Sequence, residues 1–160
     1  MILLSSSASI RKAFHIAPIA STPAVPTSDW YRHWRVDARK NRELGEVMLF
    51  TNHETLYTLT ADSREFRKAS DVIMYFLFRY GELFGSHFGY NGRIKEDIIV
   101  HAGIDLSVAG VMNGIFQRIN SISGRYGHPE LEELVNGAPI VSRGISALES
   151  FTKKLNEKGA

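Results

Sequence analysis

One short run of the sequence constrains the fold more than any other feature: Val47-Met48-Leu49-Phe50 is apolar at every position. A strand with one solvated face alternates apolar and polar side chains, whereas a continuous apolar run is typical of a central strand covered on both faces. The flanking segments also have the composition of strands, because Trp30 to Arg39 alternates and Thr55 to Ala61 is rich in β-branched and aromatic residues. Residues 30–61 are therefore predicted to form an antiparallel meander.

Apolar residues at three-and-four spacing predict two long helices after the meander. The first carries its apolar stripe from Phe66 to Phe84, behind a capping box that begins at Asp62, and the second runs from Ser107 to Ile122. A helical segment closes the chain, with Ser146 and Glu149 at the spacing of another capping box. Shorter elements are predicted as strands at residues 1–4 and 98–100 and as helices at residues 9–16 and 128–137.

The composition is that of an ordinary globular domain. The chain has 160 residues, of which 44% are hydrophobic and 22% are charged. A chain of this length buries roughly 70% of the surface that its unfolded form exposes, so it can fold without disulfide bonds. Residues 17–28 contain three of the five prolines and are predicted to be a loop. We therefore expect a single α+β domain over residues 1–160, with a mainly antiparallel sheet of four or five strands, two long helices and a helical C-terminal segment.

Charge and cysteine content exclude several classes of protein. The absence of cysteine rules out disulfides, thiolate catalysis and cysteine zinc sites. A net charge of +2 is too small to indicate a polyanionic partner without local clustering of basic residues. The N-terminus lacks the pattern of a secretory signal, and no apolar stretch approaches the roughly 18 to 20 residues that span a bilayer. A cytoplasmic protein without a membrane partner is predicted.

Three short motifs resemble an uncharacterised bacterial domain family, a domain of unknown function. They are Leu49-Phe50-Thr51-Asn52 with Thr55-Leu56 behind it, the upstream Trp30, and Ser107-Val108-Ala109-Gly110-Val111-Met112-Asn113. The resemblance extends from Met1 to about Phe151, and it implies a small α+β domain without implying an activity. The chain departs from the family pattern at residues 103–106, where a polar approach containing arginine is expected, and at Gly114, where an acid is expected.

The stretch Trp30-Tyr31-Arg32-His33-Trp34-Arg35 contains both tryptophans of the chain. Interleaved aromatic and basic residues are typical of surfaces that stack on single-stranded nucleic acid. Period two instead places both tryptophans on one apolar face with Val36 and Ala38, which favours a strand with one buried side. The outward set and two residues of the next turn are then the candidate contacts for nucleic acid or a protein partner: Tyr31, His33, Arg35, Arg39, Lys40 and Arg42.

The six histidines offer no local metal site, because no two have the i, i+2 or i, i+4 spacing of ligands on one strand or helix. His101 and Asp105 flank a turn between a predicted strand and a predicted helix, where catalytic groups often collect. An acid–base pair and a helix-capping aspartate beside a structural histidine explain these two residues equally well. The sequence has no phosphate loop, nucleophile elbow, zincin helix or calcium loop, and no cofactor is predicted.

The leading functional hypothesis is a non-catalytic bacterial interaction or regulatory module that binds a protein partner, as antitoxin and immunity proteins do. This hypothesis follows because the chain is small, has no cysteine, lacks the pattern of a secretory signal and shows no set of catalytic residues. The alternative is a nucleic-acid-binding domain that uses the basic and aromatic residues 31–42. A third hypothesis is a hydrolase or nuclease that uses His101 and Asp105. Gly110 and Gly114 further predict that another element packs closely on the second long helix.

Overall fold

The computed structural model describes residues 1–17, 27–88, 96–103, 106–122, 127–140 and 143–159. Within these residues the chain forms one five-stranded sheet and five α-helices. The strands are β1 (Ile2–Ser6), β2 (His33–Asn41), β3 (Gly45–Asn52), β4 (Thr58–Asp62) and β5 (Ile98–His101). The helices are α1 (Ala8–Ala13), α2 (Ala69–Phe88), α3 (Leu106–Ile122), α4 (His128–Gly137) and α5 (Ala147–Gly159). None of these helices is long and apolar enough to cross a membrane.

The sheet is mixed, with the strand order β4-β3-β2-β1-β5. The predicted meander is confirmed, because β2, β3 and β4 pair antiparallel, with Val36 opposite Phe50 and Phe50 opposite Leu59. The prediction of a mainly antiparallel sheet is wrong for the other half, since β1 runs parallel to both β2 and β5. The periodicity of a strand shows which of its faces are buried but not which strand lies beside it, and the long connections around β1 permit parallel pairing.

Each face of the sheet carries its own hydrophobic core. On β3, Met48 and Phe50 join the first core, which contains apolar residues of α2 and α5, whereas Val47 and Leu49 join the second, which contains those of α3 and α4. All four side chains are at most 1% exposed, as the continuous apolar run predicts. The buried stripes that cover the two faces are Val72, Phe76, Tyr80 and Phe84 on α2 and Val108, Met112, Phe116 and Ile119 on α3.

Both tryptophans lie in the first core, although only one of them belongs to a strand. Trp30 lies in a short 3-10 helix, and β2 begins at His33. Trp34 is fully buried, and its indole Nε1 donates a 2.7 Å hydrogen bond to the carbonyl of Tyr31. Tyr31 is also buried, so its predicted outward orientation is wrong. A 3-10 helix turns by about 120° per residue rather than 180°, so the alternation of β2 does not extend back to this residue.

Local capping signals predict the start of one helix correctly and place the start of a second helix at the wrong residue. Ser146 Oγ accepts a 3.1 Å hydrogen bond from the backbone N–H of Glu149, and Glu149 Oε2 accepts one of 3.3 Å from the N–H of Ser146. These bonds confirm the capping box before α5. The box predicted at Asp62 caps only a short 3-10 helix, and α2 begins later, at Ala69. The predicted loop 17–28 lies largely outside the described residues.

Strand β4 forms one edge of the sheet, and α4 covers its outer backbone groups with polar side chains. The amide of Asn136 accepts a 2.8 Å hydrogen bond from the N–H of Thr58 and donates a 2.7 Å bond to the Thr58 carbonyl. Glu132 Oε1 accepts a 2.7 Å bond from the N–H of Thr60. The side chains of α4 thus take the place of a neighbouring strand, which protects the edge from pairing with another chain.

Candidate functional site

The six predicted contact residues do not form one surface. Tyr31 belongs to the first core, and Arg35 points to the opposite face of the sheet, where it is only 7% exposed. His33 is half-buried on that same face. The outward orientation predicted for Arg35 is therefore wrong, because β2 is covered on this face as well as on the other. The exposed members lie at the turn between β2 and β3: Arg39, Lys40 and Arg42.

Arg39 already has contacts within the protein. Its guanidinium donates a 2.5 Å hydrogen bond to Asn113 Oδ1 of α3 and lies 4.8 Å from the centre of the Phe116 ring. Asp37 Oδ2 is 4.0 Å from the same guanidinium. These contacts hold α3 against β2, so Arg39 contributes to packing, and Lys40 and Arg42 are the other exposed cations of the predicted basic patch.

Three histidines from distant parts of the sequence meet on the second face of the sheet. The His33 and His53 rings are stacked, with centroids 3.6 Å apart and an interplanar angle of 11°, and the His101 ring lies 5.7 Å from His33. Ser5 Oγ is 3.3 Å from His53 Nε2. Ser5 is paired in register with Arg35 on one side and with His101 on the other, so these side chains form a row across β2, β1 and β5. We call these five residues the His–Arg cluster.

His101 is held as a neutral ring at the end of β5. Its Nδ1 accepts a 3.1 Å hydrogen bond from the backbone N–H of Gly103, which requires an unprotonated nitrogen and leaves the proton on Nε2. Burial lowers the pKa of His101, and the positive charge of Arg35 lowers it further. Asp105, its predicted acid–base partner, lies outside the described residues.

Arg35 is the most buried cation of the cluster and has few acceptors around it. Its Nη1 lies 3.5 Å from the carbonyl oxygen of Gly103, at the outer limit of a hydrogen bond. Its Nε is buried and has no hydrogen-bond partner among the described residues. The described part of the chain also supplies no carboxylate that forms an ion pair with this guanidinium.

The His–Arg cluster does not have the geometry of a metal site. Among the described residues, no group of three or more histidine or acidic side chains is arranged to hold a metal ion. The stacking of His33 and His53 explains this, because the lone pairs of stacked rings lie in parallel planes and do not meet at one point. Sequence spacing could not reveal the cluster, since its members come from three strands and the turn after β3.

A second feature is an apolar groove of about 600 Å³ on one flank of α3. Its walls are the exposed or half-buried side of that helix and the segment 135–140 that follows from α4. Arg118 is the one charged side chain among the described residues that line it. We call it the α3 groove, and its lining is Leu56, Leu106, Ser107, Gly110, Val111, Gly114, Ile115, Arg118, Val135, Ala138, Pro139, Ile140 and Ala147.

Two glycines of α3, Gly110 and Gly114, line the groove at exposed positions. A Cβ atom built on Gly110 or Gly114 would meet nothing within 4 Å among the described residues, so the predicted close approach of another element is not seen there. At the end of the groove, Leu106 is 80% exposed. The groove can receive an apolar ligand, whereas the His–Arg cluster presents hydrogen-bond donors and positive charge. No protein-family model, curated protein or solved structure significantly matches the chain.

Proposed function

We propose that the protein is a non-catalytic interaction module and that it binds a helix of a protein partner in the α3 groove. The observation that carries this proposal is the open apolar groove of about 600 Å³, which is lined by two glycines of α3 with no neighbour within 4 Å of a built Cβ among the described residues. The partner helix is amphipathic, and it carries an acidic residue that faces Arg118.

The side of α3 that lines the groove has the composition of a surface covered by protein and not of a surface in contact with solvent. A helix in a soluble protein normally carries polar residues on the side that does not face the core. On this flank the polar lining residues of α3 are confined to Ser107 and Arg118, near the two ends of the helix. Glycine in a helix interior costs about 1 kcal/mol relative to alanine. Gly110 and Gly114 gain no packing in return within the described residues, and a docked partner would supply it.

The shape and charge of the groove favour a helix as its occupant. Leu106 and Arg118 are about 18 Å apart along the axis of α3 at 1.5 Å per residue, which is the length of a helix of roughly 12 residues. Small residues in the lining let a second backbone come close, and apolar side chains at helical spacing then fill the groove. The charge of Arg118 at one end selects the orientation in which the acid of the partner lies next to it.

Matched variants test this proposal in pull-down experiments from cells of the source organism. Gly114→Leu fills the groove, Arg118→Glu reverses its charge, and Gln117→Leu adds the same side chain to an exposed position that does not line it. We expect wild type and Gln117→Leu to retain the same protein, Gly114→Leu to lose it and Arg118→Glu to bind it at least about tenfold more weakly.

Two results would contradict the proposal. One is a wild-type protein that retains nothing, and the other is a partner that Gly114→Leu retains as well as wild type does. Photo-crosslinking from position 110 then identifies the contacting segment, which should be an amphipathic helix with an acidic residue. A crosslinked segment of another kind would exclude the helix-in-groove mode.

A further inference from the structure

We infer that the His–Arg cluster is a binding site for a small tetrahedral oxyanion of the phosphate class. This site is separate from the proposed function, because none of Ser5, His33, Arg35, His53 and His101 lines the α3 groove.

Arg35 differs from the arginines of the protein that form ion pairs. Arg32, Arg64 and Arg79 each form an ion pair with a carboxylate, and their side chains are 29%, 64% and 22% exposed. Arg35 is only 7% exposed, yet within the described residues it has no carboxylate partner and its Nε has no hydrogen bond. A buried charge is costly unless an opposite charge and hydrogen bonds compensate it. An anion from solution would compensate the positive charge that the described residues leave unpaired at Arg35.

The groups around Arg35 suit an oxyanion because they donate hydrogen bonds and bring no negative charge. His101 has its proton on Nε2, whereas the Ser5 hydroxyl donates a 3.3 Å hydrogen bond to the Trp34 carbonyl and lends the site a neutral polar wall. His33 and His53 add two imidazole rings from β2 and from the turn after β3. A guanidinium binds two oxygens of an anion in one plane. Donors from several further directions call for the additional oxygens that a tetrahedral anion has and a carboxylate lacks.

The position in the sheet gives the anion a way in. Ser5 and His101 lie at the carboxyl ends of the parallel strands β1 and β5, and ligands of sheets with parallel strands bind outside such ends. His33, His53 and Gly103 are half-buried, so the cluster reaches the surface on this side. Arg35 is more buried than His33 and His53, which lie between it and full exposure in their degree of burial.

Thermal denaturation of the full chain tests the inference, with inorganic phosphate compared with chloride at equal ionic strength. At a phosphate concentration about a hundredfold above Kd, we expect the Tm of the wild type to rise by about 5 °C or more. Arg35→Met should lose this shift, and its Tm without phosphate should equal or exceed that of the wild type because a buried charge has been removed. Arg64→Met, which removes an exposed arginine, should keep the shift.

Several results would overturn the inference. They are the absence of a phosphate-specific shift in the wild type, the same shift with acetate as with phosphate, and the same shift in Arg35→Met. If Arg35→Met does not fold, phosphate binding to His33→Phe, which keeps a ring but has no N–H donor, is measured by calorimetry and by ³¹P line broadening. We expect about tenfold weaker binding in that variant, since a hydrogen bond to a charged group is lost. Unchanged binding would exclude the His–Arg cluster as the site.

Discussion

Gly45 and Gly114 show what glycine does at two very different positions. Gly45 begins β3 with a φ of +84°, in the left-handed region, and a Cβ built on it would lie 2.6 Å from the guanidinium of Arg64. Gly114 and Gly110 lie within α3, where the backbone is helical and a Cβ would meet nothing within 4 Å among the described residues. A side chain at Gly45 would be strained, whereas alanine in α3 costs nothing sterically.

We therefore expect opposite effects of alanine at these positions. Gly110→Ala and Gly114→Ala should each raise the free energy of unfolding by roughly 0.5–1 kcal/mol. Alanine reduces the conformational entropy of the unfolded chain and has a higher helix propensity than glycine. Gly45→Ala should lower it by about 1 kcal/mol, because its φ is unfavourable for an L side chain. Urea titration of the three variants measures the changes, and a loss of stability in either α3 variant would reveal a contact on that flank.

His101 gives the stability a dependence on pH. Its pKa in the folded protein is lowered by burial and by the positive charge of Arg35. In the unfolded chain its pKa has the ordinary histidine value of about 6.5. As the pH falls through that value, the unfolded chain binds a proton before the folded one does. The free energy of unfolding should then decrease, by at most about 1.4 kcal/mol per pH unit for this residue.

The variant His101→Asn isolates this contribution, since its amide oxygen can still accept the N–H of Gly103. Urea titrations between pH 8 and pH 5.5 should show a shallower loss of stability in the variant than in the wild type. Parallel curves for the two proteins would mean that His101 takes up its proton equally in the folded and unfolded states.

At the scale of elements, α4 bonds to the edge of β4 through Asn136 and Glu132, and Asn136 makes two of these three hydrogen bonds. Asn136 is 2% exposed and makes both the donor and the acceptor bond to Thr58 that a neighbouring strand would make. Removing the amide leaves two backbone groups of a buried strand without partners. Each such group costs about 1–3 kcal/mol when it is left unsatisfied.

Asn136→Ala should accordingly lower the free energy of unfolding by roughly 2–5 kcal/mol, measured by urea titration. Asn136→Asp keeps an acceptor for the Thr58 N–H but loses the donor to its carbonyl, so its loss should be substantial as well. Asn156→Ala removes the same amide from an exposed position of α5 and serves as the control. Equal stabilities of the Asn136 and Asn156 variants would show that water replaces the amide at the edge of the sheet.

Elements whose signals are local could be predicted, and those that depend on distant partners could not. The capping box of Ser146 and Glu149 and the apolar run of β3 each lie within a few residues, and the structure confirms both. The partners of β1 are separated from it by long stretches of chain, and no pattern in Ile2–Ser6 states that they run parallel. The His–Arg cluster could not be predicted from the sequence for the same reason. The row of Arg35, Ser5 and His101 forms only when β1 pairs with β2 and β5.

At the scale of the whole molecule, the burial of both tryptophans decides how nucleic acid could bind. Trp30 is 7% exposed and Trp34 is fully buried, so neither can stack on a base without unfolding of the first core. Binding through the exposed turn of β2 and β3 would instead involve Lys40 and Arg42. Such binding would be electrostatic and strongly dependent on salt.

Tryptophan emission should therefore be blue-shifted and should not change when a mixed-sequence single-stranded oligonucleotide is added. Anisotropy of a labelled oligonucleotide measures binding independently of the tryptophans. A salt-dependent rise in anisotropy that Arg42→Glu abolishes would support the nucleic-acid alternative through the turn. Quenching of the tryptophans would show that the core around Trp30 opens, contrary to the burial seen here.

The central place of β1 has a consequence for how the protein is made. This strand is synthesised before both of its neighbours, β2 and β5, and the second of them ends only at His101. While the chain is being synthesised, the side of β1 that pairs with β5 has no neighbouring strand until β5 has left the ribosome. Pairings between segments so far apart in sequence form slowly. The nascent chain thus keeps one edge of a hydrophobic strand unpaired until residue 101 has left the ribosome, so the sheet can be completed only late in folding.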